Sequence, residues 1–496
     1  MLKVKANRQE AYRLLHRGSL ALSKVEGNGI RVDRKYLDRT MADLDRKITE
    51  GERELKESKV WKRWRRAFGE KAKLTSREQL GAVFFDSKVG GRYEVRERTE
   101  TGRPKTDESA FEWVDHPFPK AYFRVEKMRK AKNTYLANLR RETTPAGFFH
   151  PTFNLHTART FRSSSGADKE EATGSRDVNF QNLPVRNPEM AEWIRRSFVP
   201  RKGRRLGEVD FSGIEVKVAY CYHQDPTMRK YLLDPKSDMH RDMAAECYML
   251  SAGQVDKMMR YCAKNMFVFP QFYGSAYFKC AKQLWEAVDL HKLSLPPGTE
   301  EKGGDQTGIS LRDHLLGKGI KELGPCDPRE SPRPGTFEHH LKTVEKRFWK
   351  ERFPVYDRWR REWYDAYLRE GGFNMFTGFR VSGPFARNDV INYPVQGAAF
   401  HCLLWCLTEL QDWLDGNGME SLIVGQIHDS LVLDLVPAET DEVLSKAREI
   451  MTVLLPRRWK WITTPLEVEA EVCPVGESWF TKKAHVEKGG VWVLKG

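Results

Sequence analysis

The stretch GQIHDSLVLDL, residues 425–435, runs from apolar to charged and back to apolar. Ile427, Leu431, Val432, Leu433 and Leu435 have the character of a buried strand pair, and a strand–turn–strand is predicted over residues 421–436. His428 and Asp429 stand side by side in the middle of it. An unpaired carboxylate in such surroundings costs several kcal/mol, so a cation or hydrogen-bond donors must meet it. What neutralises Asp429 therefore decides how the rest of the chain is read.

Two other stretches supply an answer. VDFSGIE, residues 209–215, ends an apolar strand pattern on Asp210. RYCAKNMFVFPQFYGS, residues 260–275, sets Arg260 and Lys264 four apart, on one helical face. Two strand-borne carboxylates and a helix presenting two cations suit phosphoryl transfer. Asp210 and Asp429 can clamp two divalent ions, one activating an attacking hydroxyl and the other stabilising the leaving oxygen. Arg260 and Lys264 can hold a triphosphate and neutralise departing pyrophosphate, which is electrostatic catalysis with little covalent work. Magnesium fits because it binds through a few carboxylates and phosphate oxygens and keeps waters. Manganese is the expected substitute. Taken singly, each piece has a plainer explanation. A strand-end Asp is usually a cap or turn residue, an Arg–Lys pair at this spacing is usually solvated, and a lone His is usually structural. Order and context raise the pieces to a site.

Composition bounds the partners. A chain of 496 residues exceeds one ordinary core and implies several subdomains. With 40% hydrophobic and 31% charged residues it can bury a large core, which excludes global disorder. A net charge of +15 and a pI near 9.3 suit a polyanionic partner, with nucleic acid the leading candidate. None of the eight Cys forms a CxxC pair, and His401, Cys402 and Cys406 lack zinc spacing, so free thiols in a reducing compartment are expected. The opening MLKVKANRQE lacks an apolar signal core, and no run of about 18 apolar residues occurs. An intracellular, cytoplasmic location with no membrane partner is expected.

Along the chain, residues 7–58 read as helices with a turn at EGNGIRVD (26–33). KVWKRWRRAFGEKAK (59–73) and KAYFRVEKMRKAKNTYLANLRR (120–141) mix cations with aromatics, as a surface tracking a phosphate backbone would. Residues 87–109 read as an exposed loop or ribbon and 151–200 as a polar stretch. RRLGEVDFSGIEVKVAYCY (204–222) reads as a strand bounded by Gly, and helical patterns fill 226–285. Pro and Gly break the pattern over 294–336, which reads as an insertion or mobile loop. One long helix is predicted over 337–370, another over 392–414, a third over 438–455, and a final strand over 465–475.

The three motifs, in this order, resemble those of family-A DNA polymerases, the class of bacterial polymerase I and many phage replicases. DFSGIE resembles motif A, RYCAK…FPQFYG motif B and QIHDS motif C. TFRSSS (160–165), NFQNLPVR (179–186), DMHRDMA (238–244), FTGFR (376–380) and NYPVQGAA (392–399) follow the family order. Upstream, LSKVEGNGIRVD (22–33), SREQLGAVFF (76–85) and KTDES (105–109) resemble the family's entry and thumb, so the likeness covers almost all of the chain apart from 294–336.

The resemblance implies roles. Asp210 and Asp429 would bind the metal, with the Phe211 carbonyl as a third oxygen ligand. Glu215 would be the steric gate that leaves no room for a ribose 2′-OH. Arg260, Lys264 and His240 would contact the triphosphate. Phe269 and Tyr273 would stack near the incoming sugar and the template base. Arg162, Asn392, Gln396 and His428 would contact primer, template and minor groove. The partners implied are primer–template DNA and dNTPs, with a separate nuclease or replisome proteins as further candidates. The fold implied is α+β: a right hand with an antiparallel palm sheet and helical fingers and thumb. Residues 1–35 would pack on the palm, 36–150 form the thumb, 151–228 the first palm part, 229–369 the fingers and 370–496 the second palm part. With thumb-like sequence beginning so early, no 3′–5′ exonuclease domain is expected in this polypeptide, which suits a phage, plasmid or specialised replicase.

The chain leaves the family pattern at two places. Motif C usually reads His-Asp-Glu, but here Ser430 takes the second acid's place. Phage-type single-subunit RNA polymerases have His-Asp-Ser there and end motif B in Tyr-Gly-Ser, as residues 273–275 do, so RNA synthesis stands as an alternative. Glu215, QNLPVR and the 76–109 stretch favour the DNA enzymes over that alternative. A non-enzymatic nucleic-acid binder is a third reading, disfavoured because both aspartates and both cations are present. Motif B also carries one extra residue between Lys264 and Tyr273, and Pro270 stands where Gly is usual. A kink or one-residue bulge near 266–270 is expected to absorb it.

Overall fold

The protein is described from a computed structural model, which covers residues 4–96, 98–99, 101–166, 178–185, 187–295 and 308–495. Its centre is a six-stranded antiparallel sheet. In spatial order the strands are Val491–Leu494, Lys483–Lys488, Val468–Val472, Arg205–Phe211, Ser430–Leu435 and Leu422–Ile427. The register sets Asp210 opposite Ser430 on one side and Glu469 on the other. The hairpin predicted over 421–436 is present, with a two-residue turn at His428–Asp429.

Helix Arg387–Gly416 packs beside the site and is buried along most of its length from Val390 to Leu414. Helix Arg8–Asn28 lies against it and against strand Leu422–Ile427. A small sheet of Phe148–Phe149, Ile30–Val32 and Phe198–Val199 ties this N-terminal segment to the chain that enters the central sheet.

One helical lobe is built from Arg34–Glu57, Lys59–Phe68, Arg77–Phe85 and Pro117–Lys130. Ser58 separates the first two by capping both ways: its hydroxyl donates to Leu55 O at 2.6 Å and accepts from Trp61 N at 3.1 Å. Val60, Trp61 and Trp64 turn the apolar face of Lys59–Phe68 inward, where Trp64 packs on Phe118 and Tyr122. A second lobe holds Met239–Tyr248, Lys257–Ala263, Tyr277–Leu290 and Phe337–Arg347. Asp225, fully buried, joins helices of this region: Oδ1 accepts from Thr227 N and Met228 N, and Oδ2 from Val355 N and Tyr356 N.

Three readings change, and a fourth is tested only in part. Residues 204–222 are not one strand: the strand ends at Phe211, and helix Ile214–His223 begins after Gly213, whose left-handed φ of +62° makes the break. The long helix expected over 337–370 is interrupted at Phe353, because Pro354 cannot continue the hydrogen-bond ladder. Val468–Val472 is not the final strand, since two more follow it to the sheet edge. Of the stretch expected to be an insertion or mobile loop, residues 296–307 lie outside the described residues. Residues 308–336 contain helix Leu311–Gly317, with Leu311 and Leu315 buried. All eight Cys are free thiols, as expected. Among the described residues, no helix is long and apolar enough to cross a membrane.

Candidate active site

Asp210 stands one residue from the end of its strand, and Asp429 in the turn of the adjacent hairpin. Phe211 N donates to Asp429 O at 3.3 Å, which ties the turn to the strand end. His428 holds a left-handed φ of +49°, an unusual backbone state for a residue with a Cβ. Gln426, almost fully buried, fixes this turn. Its Nε2 donates to His428 O at 2.8 Å, and its Oε1 accepts from Ser163 Oγ and Gln181 Nε2, each at 2.7 Å. A glutamine inside an apolar strand was the available signal for this residue, and sequence reasoning passed over it.

The two carboxyl groups lie within hydrogen-bonding reach of each other. Both are held above the usual carboxylate range. Burial is the main cause for each; the Asp429 and Glu208 charges add for Asp210, and Glu215 adds for Asp429. Asp210 Oδ1 is buried with no hydrogen-bond partner. An orphaned carboxylate oxygen facing a second acid is the arrangement a divalent cation relieves, so the pair fits a metal site. Among the described residues no group of three or more His, Cys, Asp and Glu is arranged to hold a metal ion. Such a site therefore needs further oxygens from backbone, water or phosphate, as magnesium accepts.

A cavity of about 400 Å³ opens beside the pair, lined by Asp429, His428, Glu215, Arg162, Phe269, Tyr273 and Asn392 among others. Glu215 lies in the first turn of helix Ile214–His223 and is held from two sides. One oxygen accepts from the Arg162 guanidinium, and the other from the Tyr273 hydroxyl. Asn392, on helix Arg387–Gly416, donates to Tyr273 O at 3.3 Å. Gln396 is half-buried one turn further along that helix and does not line the cavity.

The cations form a separate group. Arg260 donates to Asp238 Oδ2 at 2.6 Å, while Lys264 has no carboxylate partner among the described residues and sits 5.2 Å from the Phe269 ring centroid. His240 meets the same ring edge-on at 5.7 Å, and its Nδ1 is buried without a partner. Burial pushes His240 down to about 4, and the Lys264 and Arg260 charges add to that effect. Phe269 thus joins the cation group to the cavity.

The extra residue of this segment is taken up by a π-helical turn, Lys264–Val268, in which Phe269 N–H reaches back to Lys264 O. Phe267 and Val268 are buried, while Phe269 emerges at the cavity and Pro270 opens the turn that follows. The bulge expected near 266–270 therefore lies slightly earlier.

The sequence profile of DNA polymerase family A matches residues 38–290 and 380–481. The stretch it omits contains the 294–336 segment. A thermostable DNA polymerase I of Thermus filiformis is 28% identical over 96% of this chain and 48% of its own length. DNA polymerase I of Pseudomonas aeruginosa is 26% identical over 92% of this chain and 43% of its own. A DNA polymerase of Bacillus phage SP01 is 24% identical over 77% of this chain and 37% of its own. The chain thus spans about half the length, or less, of these curated relatives. The POL domain of Pol1 from M. smegmatis, solved with DNA primer-template and dNTP, superposes with a TM-score of 0.69 at 22% identity. That match covers 94% of this chain and 70% of that one, and the likeness is one of fold.

Proposed function

The chain belongs to DNA polymerase family A and has its α+β right-hand fold, and from that premise we propose that it is a DNA-directed DNA polymerase, extending a primer 3′-OH with dNTPs on a DNA template. The observation that carries this is the meeting of Asp210 and Asp429, more than two hundred residues apart in sequence, beside a cavity that also holds Glu215 and Tyr273. In this reading the central sheet with helix Arg387–Gly416 is the palm, residues 36–150 are the thumb and 229–369 the fingers.

Asp210 and Asp429, with the Phe211 carbonyl, would hold magnesium, or manganese in its place; a bound ion pair supplies Lewis acidity at the attacking hydroxyl and at the leaving phosphate. The remaining work falls to the chain's own groups. Lys264, with no carboxylate partner among the described residues, and Arg260, after exchange from Asp238, neutralise the triphosphate. Neutral His240 donates a hydrogen bond there without adding charge. Glu215, fixed by Arg162 and Tyr273, closes the space a 2′-OH would need. Phe269 and Tyr273 offer aromatic faces, which take any base. Asn392 steadies Tyr273, while Gln396 and His428 face primer and template. These 496 residues are proposed to carry no primer-trimming activity of their own.

Primer extension with magnesium, supplied with dNTPs or rNTPs in parallel, tests this reading. Extension with dNTPs is expected, abolished by Asp429→Ala, with a 3′-mismatched primer left untrimmed. Ser430 favours one second reading, a single-subunit RNA polymerase. Preference for rNTPs in the same assay would establish that reading instead.

A further inference from the structure

At Ser430, where family-A enzymes usually carry a second acid, a carboxylate arrives from the neighbouring strand. Glu208 lies two residues before Asp210 and so shares its face of the sheet, and the register pairs Ser430 with Asp210 and Val432 with Glu208. Ser430 Oγ is 3.0 Å from Glu208 Oε1 and 3.0 Å from the Ile427 carbonyl, and it shares its one hydrogen between them. Ile427 and Ser430 are the residues on either side of the His428–Asp429 turn. The hydroxyl therefore straps the turn, and Glu208 anchors the strap.

Glu208 is itself held from behind. Its Oε2 accepts from Lys482 Nζ at 2.6 Å and from Trp479 Nε1 at 3.2 Å. Lys482 also bridges to Glu471 on the next strand. Trp479 is fully buried between the Phe180 ring, 5.5 Å away, and the Arg195 guanidinium, 4.1 Å from its centroid. With both oxygens engaged and an ammonium beside it, Glu208 is not free to coordinate a cation. Its charge adds to the repulsion felt by Asp210, and its hold on the turn is exerted through the hydroxyl.

Resting on the polymerase reading, we propose that Glu208 is a positioning residue, which through Ser430 fixes the turn carrying Asp429 against Asp210. It takes over from the next strand the place of the acid missing at position 430. The intact chain is compared with Glu208→Gln, Ser430→Ala, the double variant and Asp429→Ala. Three quantities are read: kcat and KM for dNTP in primer extension, Mn²⁺ affinity of the protein alone by paramagnetic resonance of the free ion, and Tm. Partners that orient metal ligands typically change affinity or activity by about 10–100-fold. Each single variant is expected to lower kcat and Mn²⁺ affinity at least about tenfold, with KM unchanged. The double variant is expected to be no worse than the singles, because both changes cut the same strap. A fall in Tm with kcat and Mn²⁺ affinity unchanged would overturn the proposal, as would effects that multiply. Should Glu208→Gln fail to fold, Ser430→Ala decides, since it removes one hydroxyl only. Full extension by Asp429→Ala would take Asp429 out of the metal site and overturn the proposal with it. No extension by the intact chain with either dNTPs or rNTPs would reject the polymerase reading instead, and the Mn²⁺ arm would still judge Glu208.

Discussion

Arg260 donates from Nε to the Asp238 carboxylate at 2.6 Å, so one of the two cations proposed for the triphosphate is already engaged. The same carboxylate caps helix Met239–Tyr248, accepting from His240 N and Arg241 N at 3.1 Å each. Although burial opposes it, the Arg260 guanidinium helps to hold Asp238 below the usual carboxylate range.

Asp238→Asn separates these two jobs, because the amide oxygen still caps the helix while the charge is lost. A pair this exposed is worth about 0.2–1 kcal/mol. Freeing Arg260 is therefore expected to lower KM for dNTP by up to about fivefold with kcat unchanged, measured by steady-state primer extension. Arg260→Ala is expected to raise KM about tenfold or more. A rise in KM for Asp238→Asn would show that the pair aims Arg260 rather than restrains it.

Glu215 is expected to exclude ribonucleotides by its bulk, held in place by Arg162 and Tyr273. Glu215→Ala should then raise the rNTP/dNTP ratio of kcat/KM at least about tenfold, the effect of roughly 1.4 kcal/mol of differential binding. Glu215→Gln, of the same size, should leave that ratio nearly unchanged. Equal ratios in the wild type and Glu215→Ala would move the gate elsewhere.

Much of this site was legible because its residues break a pattern. Asp429 interrupts an apolar run, and the extra residue before Tyr273 forces a bulge whatever its neighbours are. Gln426 showed only as a polar residue inside an apolar strand, and Glu208 not at all, because their roles lie in partners from distant stretches: Ser163 and Gln181 for one, Lys482 and Trp479 for the other. The misreading of 204–222 has a local cause. Helix Ile214–His223 is buried nearly all round, from Ile214 through Val218 to His223, so its apolar residues show no helical period. The sheet edge beyond Val472 was missed because Lys483–Lys488 is mostly polar and charged, and Val491–Leu494 is a run of only four apolar residues with no alternation, neither strand being fully buried.

Two buried histidines set an acid limit on stability. His401 stacks on Phe379 and bonds Thr377 through Nδ1 at 2.7 Å; His223 accepts from Asp225 N at 3.0 Å and leaves Nε2 without a partner. Burial pushes each down to about 3. The folded state thus stays neutral while the unfolded chain takes up protons near pH 6.5. Their contribution is whole above pH 6.5 and is lost as pH falls from there toward 3. The loss is about 1.4 kcal/mol per pH unit for each ring. Denaturant unfolding at pH 7 and pH 5 should show a loss of roughly 4 kcal/mol from the pair, and His401→Gln should halve the histidine part of it. An unchanged slope in that variant would place the proton uptake on other groups.

The basic segments differ in how free their charge is. On the 120–141 stretch much of it is already matched: Lys127 with Glu108, Arg129 with Glu52, Lys132 with Asp45 and Arg140 with Asp38. On helix Lys59–Phe68 the apolar face is buried, and Lys59, Lys62, Arg65 and Arg66 are exposed, with no carboxylate partner among the described residues. If this helix meets duplex phosphates, each lost contact should flatten the slope of log K against log salt by about 0.9. The triple variant Lys62→Ala, Arg65→Ala, Arg66→Ala is therefore expected to reduce the slope for primer–template binding by about 2–3. Arg129→Ala with Arg140→Ala should change it by less than about 1, because those guanidinium groups already face carboxylates. Binding followed by fluorescence anisotropy from low to high salt reads both slopes. Equal slopes for the triple variant and the wild type would take helix Lys59–Phe68 off the DNA.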